Sequence, residues 1–451
     1  MGSELQDILL SMEQNNSLLA DDLSSTANVL DYSNFVKDNV WTDAIQTAIN
    51  ENQIVIIPES SEPYIIDKSI VVPSNRKIVA YGATIKMKDG MDVLMLRNDN
   101  VIDETYQKAN NSVKDENISI FGGTFEECYT SRLGYGRSGK VDESHSMYGI
   151  SCCLLFNNVR HLTVKDVILV NCAGFAIQTG ELYDAVFRHI RFDNCFADGL
   201  HIGGSTANLL ISDVKGNVGD DLAALNMYDW HNSTVTFGPG ENILCEDLEL
   251  EPNGRYKAIR LEPGIYEFSD GTKVDCYLKN VVFRRVKGIR TFKMYLQTPP
   301  YLIGQSPEKG EVGNAYDITF EDMDIDLIRP IDTFEEYMKS DDIRGNCAAF
   351  EICSNVNGFF LNNVRLTLHR DEFPMSYLIA VGPKSILRNG KEIFDPYLSG
   401  IAENIRLKNV TINGEQLKKP SEYVKEIVFD DVDGDGNSSG RGILHDLIVE
   451  Q

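Results

Sequence analysis

The sequence predicts an all-β solenoid, a stack of parallel coils, and three observations predict it. First, one phrase recurs with changing letters: ENISIFGGTF at 116, NNVRHLTVKDVIL at 157, ANLLISDVKGN at 207, ENILCEDLEL at 241, KNVVFRRVKG at 279, YDITFEDMDI at 316, NGFFLNNVRL at 357 and ENIRLKNVTI at 403. Each phrase is a short strand of alternating character, usually opened by Asn or Asp, then a polar step and a second short strand. Second, the spacing in the middle of the chain is fixed: Gly180 and Gly203, Ile177 and Leu200, Leu200 and Ala223, and Asp198 and Asp221 all lie 23 residues apart. Third, this period comes without a helical pattern and without the LxxLxLxxN of leucine-rich repeats, so each coil stacks on the one before. The competing reading is an antiparallel β-sandwich. It needs hairpin turns such as NG or DG between strands, and these are sparse at the regular positions.

Residues 1–40 carry no rung phrase and are expected to form an N-terminal extension, packed outside the coils or partly disordered. The stretch WTDAIQTAINENQIVIIPESSEPYIIDKSIVVPSNRKIVAYGATIKM, residues 41–87, resembles the leading segment of pectin-lyase-like proteins, a capping helix followed by the first coils. The resemblance extends over about residues 40–415 and implies a single-stranded right-handed parallel β-helix with an N-terminal capping helix. Pectin-active enzymes, phage tailspikes and other polysaccharide-active proteins share this leading segment, so it implies a fold and not a substrate. The coils are expected over 41–415, with excursions near 128–148, 227–240 and 299–345, and residues 416–451 as a C-terminal cap or tail. Excursions from a rigid solenoid are the usual walls of a binding groove.

The chain has 451 residues, with 68 acidic against 42 basic side chains and a net charge of -26. Such a field repels polyanions, which argues against nucleic acid and an anionic membrane as partners. No stretch approaches a membrane span, and MGSELQDILLSMEQNN lacks a basic region followed by an apolar one. The nine cysteines form no CxxC pair and are odd in number. They fit free buried thiols in a reducing compartment better than a disulfide framework, so a cytoplasmic location is expected, with a secreted one as the alternative if a signal peptide has been removed.

The chemistry concentrates in VGDDLAALN, residues 218–226. Aligned on their spacing, Ile177, Leu200, Ala223 and Ile259 point inward, as do Thr179, Ile202, Leu225 and Leu261. Period 2 therefore sends Gln178, His201, Ala224 and Arg260 outward. The step from 223 to 259 is 36 residues, and the surplus MYDWHNSTVTFGPG is a loop carrying Tyr228, Trp230 and His231. Asp198 lies one rung from Asp221, at the roughly 4.8 Å of neighbouring strands, and Asp220 stands beside Asp221. Three converging carboxylates raise the pKa of at least one of them, which then stays protonated near neutrality. Cleavage of a glycosidic bond requires this: one carboxylic acid protonates the leaving oxygen while a carboxylate activates water or attacks. The bland alternative makes these aspartates turn residues or a calcium site.

FADGLHIGG, Gly219-Asp220-Asp221 and YKAIRLEPG together resemble glycoside hydrolase family 28, the polygalacturonases and their relatives. That family shows Asn-Thr-Asp, Gly-Asp-Asp about one coil later, His-Gly, then Arg-Ile-Lys. Here Asp198 is kept without the Asn-Thr, Gly-Asp-Asp is intact, FGPGENI stands where His-Gly is expected, and Arg260-Leu261-Glu262 replaces the last motif. The resemblance implies Asp220 as general acid, Asp198 and Asp221 as holders of the attacking water in an inverting hydrolysis, and Arg260 as a substrate-binding residue. His201 and Gln178 are further candidate sugar contacts, which the resemblance does not imply. Glu262 stands where the family has a lysine that pairs with a galacturonate, so the expected substrate is an oligo- or polysaccharide of neutral or amino sugar rather than pectin. Aromatic faces pack on sugar rings, which makes Trp230, Tyr228, Tyr266 and Tyr295 candidates.

Other signals do not carry. Asp431, Asp433, Asp435, Gly436 and Asn437 match the start of a calcium loop, but its twelfth position is Gly442 and a solvated acidic turn is the better reading. No Cys or His spacing suits zinc, and no phosphate loop or GxSxG elbow occurs, so neither a metal nor a cofactor is expected. Two competitors remain on the same fold: a lyase or epimerase acting on an acidic sugar, and a non-catalytic, tailspike-like glycan-binding protein. The oligomeric state, monomer or trimer, is open.

Overall fold

The structure, a computed structural model, describes residues 2–21, 25–101, 114–131, 152–229, 235–254, 257–268, 270–294, 311–328, 347–371, 374–383, 385–388, 391–394, 399–429 and 440–450. It is a right-handed parallel β-helix. One sheet collects a short strand from each coil: Ile70–Val72, Leu96–Asn98, Cys152–Phe156, Phe175–Thr179, Leu200–Gly203, Asp221–Asn226, Ala258–Leu261, Thr291–Met294, Cys347–Ile352, Ser376–Val381 and Val424–Glu426. We call it the floor sheet. A second sheet holds the long bent strands that close each coil, such as Leu182–Cys195, Thr206–Val218 and Asn314–Leu327.

The opening Asn or Asp of the repeated phrase now has a physical reason. Asn117, Asp184, Asn208, Asn242, Asn280, Asp317 and Asn404 stand in register, and each has φ between 54° and 58°. A left-handed backbone is costly for most side chains and least so for Asn, Asp and Gly, and Gly358 fills the same place on its coil. The amides also bond along the stack, with Asn242 donating to Asn208 at 3.1 Å and Asn280 to Asn242 at 2.8 Å. Inside the bend, Leu209, Ile243, Val281, Ile318 and Phe359 align as one continuous buried row, and a single core runs the length of the coil.

Helix Thr42–Glu51 caps the N-terminal end, burying Ile45, Ala48 and Ile49 in that core. The coil is longer at both ends than the sequence predicts. Thr26–Asn28 already pairs in parallel with Ile54–Ile56. At the other end Leu447–Glu450 pairs with Ile401–Lys408, and Val424–Glu426 extends the floor sheet. Residues 1–40 and 416–451 thus both supply strands. Helix Gly2–Asp21 does pack outside the coil: Leu5, Leu9 and Met12 cover Val186, Leu210, Leu244 and Val282. Among the described residues no helix is long and apolar enough to cross a membrane, and eight of the nine cysteines, those whose side chains are described, are buried and unbridged. Most of the excursions 128–148 and 299–345, together with residues 230–234 of the excursion 227–240 and the turn 431–437, lie outside the described residues.

Candidate active site

The floor sheet stacks Gln178, His201, Ala224, Arg260, Lys293 and Glu351 into one outward row, each paired to the next. Gln178, His201, Ala224 and Arg260 are the row the spacing predicts, and the structure adds Lys293. A bulge between Asp221 and Ala224 sets Asp221 over Ala258 and turns its carboxylate toward the row. Gly199 makes the approach of the preceding turn possible, because a Cβ there would lie 2.5 Å from the Phe192 ring and 2.7 Å from the Leu222 carbonyl. Its N–H donates to the Asp221 carbonyl at 3.0 Å, and the Asp221 N–H donates to Asp198 Oδ1, also at 3.0 Å. The two turns therefore lock Asp198 to Asp221. Gly219 and Asp220 fold over Ala197 through bonds to its carbonyl.

Carboxylate oxygens of Asp198, Asp220 and Asp221 all lie within 4.8 Å of one another. Asp221 is fully buried, and Lys293 Nζ sits 2.8 Å from its Oδ1 while Arg260 Nε sits 3.1 Å from its Oδ2. Burial alone would raise the Asp221 carboxyl. The two cations outweigh it and hold the group below its ordinary value, so it is ionised. Asp220 is half-buried and differs: burial first, then the charges of Asp221 and Asp198, push it up to about 6 against the pull of Lys293 and Arg260. One carboxyl thus keeps its proton at mildly acidic pH beside one that has lost it. A cluster this tight would also suit a divalent cation. Both oxygens of Asp221 already face an ammonium or guanidinium group that supplies the counter-charge a metal would bring.

His201 lies behind Asp198. Its Nδ1 is 2.7 Å from Asp198 Oδ2, its Nε2 is 3.2 Å from Asp229 Oδ2, and its ring stacks on Phe175 at 4.0 Å between centroids. The expectation that it touches the sugar changes, because only 2% of the residue is exposed. Gln178 is likewise buried within the row. Glu262, expected to meet the sugar and to disfavour an acidic one, is also buried, with Oε2 3.5 Å from Arg260 Nη1. Tyr228 packs in a cluster with Phe237 and Tyr266 at 5.8 and 5.9 Å between ring centroids, so it is a packing residue. Trp230 and Tyr295 lie outside the described residues. Sequence reasoning missed Lys293 and Asp229. The signal for Lys293 was present: TFKM, 33 residues after AIRL, repeats its alternation.

No family model matches the chain. Among curated proteins, the exopolygalacturonase of Platanus acerifolia is 26% identical over 222 residues, which cover 48% of this chain and 50% of that protein. The chain thus matches about half the length of that relative. Among solved structures, the hyperthermoactive exopolygalacturonase of Thermotoga maritima superposes with a TM-score of 0.52 at 13% identity, covering 90% of this chain and 97% of that one. The chain is a parallel β-helix protein whose sequence is similar, over about half its length, to the Platanus acerifolia exopolygalacturonase. A mutant tailspike of the E. coli bacteriophage HK620, solved with a pentasaccharide, superposes with a TM-score of 0.51 at 9% identity over 87% of this chain and 64% of that one. At these identities the two structural likenesses establish the fold alone.

Proposed function

We propose that the protein is a glycoside hydrolase that cleaves by inversion, with Asp220 as the acid and Asp198 and Asp221 holding the attacking water. The observation that carries this is the split within the triad, a half-buried Asp220 pushed up to about 6 beside a buried, ionised Asp221. The close grouping of the three carboxylates is, by itself, nearer to the roughly 5 Å of retaining enzymes than to inverting ones. Burial points the other way. Asp221 is fully buried with both oxygens at Lys293 or Arg260, and both Asp198 oxygens already accept a bond. Neither is placed to form a bond to an anomeric carbon, whereas the small exposed part of Asp198 leaves a water room to bind. Proton NMR of the first-formed product reads the anomer directly, and retained configuration would overturn the inverting assignment.

The substrate reading is a neutral or amino sugar. A uronate needs a cation to meet its carboxylate, and in this row Arg260 and Lys293 are both engaged by Asp221, with Glu262 beside Arg260. Incubation with a panel of neutral, amino and acidic glycans, read by mass spectrometry, tests this. Asp220→Asn is expected to lower kcat by about 10²- to 10⁴-fold on whichever glycan is cleaved. Full retained activity in that variant rules out the acid assignment. A product with a new ultraviolet-absorbing double bond, formed only in the absence of chelator, would favour a lyase instead.

A further inference from the structure

We propose that His201 is a positioning residue that fixes Asp198 as the carboxylate partner of the attacking water, and that Asp229 acts through it. The inference rests on the hydrolase reading for the step it serves, and on the geometry of the described residues for everything else.

Three constraints fix the imidazole. Its plane is set by Phe175, whose ring lies 17° from parallel. Its Nδ1 is 2.7 Å from Asp198 Oδ2. Its Nε2 forms an ion pair with Asp229 Oδ2 at 3.2 Å, and Asp229 is itself buried and held by Asn226 Nδ2, which donates to the same oxygen at 3.1 Å. An imidazole with a carboxylate at each nitrogen is satisfied only when both nitrogens carry protons. The cation then gives Asp198 a fixed donor on one oxygen while the Asp221 N–H holds the other, so the carboxylate cannot rotate. Each of those oxygens keeps a lone pair for a water.

The surrounding charges make the imidazolium necessary. Asp198, Asp229, Asp221, Asp220 and Glu262 crowd a region that, among the described residues, also holds the cations Arg260 and Lys293. The neighbouring rungs present only Gln178 and Ala224 to the ring, and Phe175 is apolar. Without a charge on His201, two buried carboxylates, Asp198 and Asp229, would flank a neutral ring. Burial alone would pull the imidazole down, but its bonds to Asp198 and Asp229 push it up to about 9.

The test uses the full chain labelled with ¹³C,¹⁵N-histidine, in which His201→Gln assigns one of seven imidazoles. The His201 resonance is expected to titrate near 9, and Asp229→Asn to lower its midpoint by about one pH unit or more. In the same variant kcat is expected to fall about tenfold or more above the new midpoint with KM unchanged, and Asp229→Glu to restore most of it. A wild-type midpoint at or below the ordinary value in an active hydrolase overturns this proposal alone. So does a His201→Gln variant in which KM rises and kcat stays, because that marks a sugar contact. If Asp229→Asn fails to fold, the wild-type midpoint still decides. An imidazole titrating near 9 in a chain that cleaves no glycan overturns the hydrolase reading and the positioning role with it.

Discussion

The row Thr163, Val186, Leu210, Leu244, Val282 and Thr319 and the row Gln178, His201, Ala224, Arg260, Lys293 and Glu351 run along the same stack of coils. Both point out of the coil, and both are largely buried. The first is nearly uniform, and helix Gly2–Asp21 lies across its four apolar members. The second changes its side chain at every rung and buries charge. The backbone repeat holds successive side chains about 4.8 Å apart on either face, so what a face does depends on whether its row repeats its letters or varies them. A uniform row makes a surface to cover, and a varied one makes a site.

The comparison breaks first at Lys293. Replacing it by methionine keeps the volume and removes one of two cations from buried Asp221, leaving a charge only partly compensated. Unfolding by denaturant is expected to show a loss of about 3–5 kcal/mol. The Asp221 carboxyl should also rise, moving the acid limb of the kcat/KM profile to higher pH. A loss no larger than that of a surface substitution would mean that the charged row is as indifferent to its letters as the apolar one.

Leu9→Ala tests the uniform row. Leu9 is fully buried between the helix and the strands, and the expected loss is about 2–3 kcal/mol, with kcat unchanged because nothing in the floor row moves. Asn242→Ala tests the bend that both rows depend on. It places a Cβ-bearing residue with no side-chain acceptor at φ 56° and is expected to cost about 1–2 kcal/mol, most of it recovered by Asn242→Gly.

That bend also explains how much the sequence discloses. The second letter of ENIS, ANLL, ENIL, KNVV, YDIT, NGFF and ENIR is the left-handed residue of its coil, while in NNVRHLTV His161 takes that place, so backbone strain writes most of the repeat into the letters. One coil escaped notice because Tyr183-Asp184-Ala185-Val186-Phe187 follows directly on the preceding floor strand. The ends escaped because strands as short as Thr26–Asn28 carry no phrase at all. At the site, period 2 identifies which residues leave the coil. It is blind to what then covers them, and so His201, Gln178, Glu262 and Tyr228 read as exposed contacts and are buried. Asp198, Asp220 and Asp221 were legible because a fixed period converts sequence distance directly into neighbouring rungs.

The smallest expected effect separates the rows by the purpose of their charges. Asp220 titrates at about 6 in the folded chain against an ordinary value of 3.8, so between these two values the folded state binds the proton that the unfolded state has released. Its contribution to stability is fully present below the unfolded value and is lost as pH rises through about 6. Asp220→Asn removes that loss. Its Tm is expected to exceed the parent's by the order of 1 °C at pH 7, with the difference vanishing near pH 4. The opposite sign, a variant less stable at neutral pH, would make Asp220 a structural turn residue like its counterparts along the bends. A variant that is both inactive and slightly more stable indicates a charge kept for chemistry at the expense of the fold, which no residue of the apolar row should show.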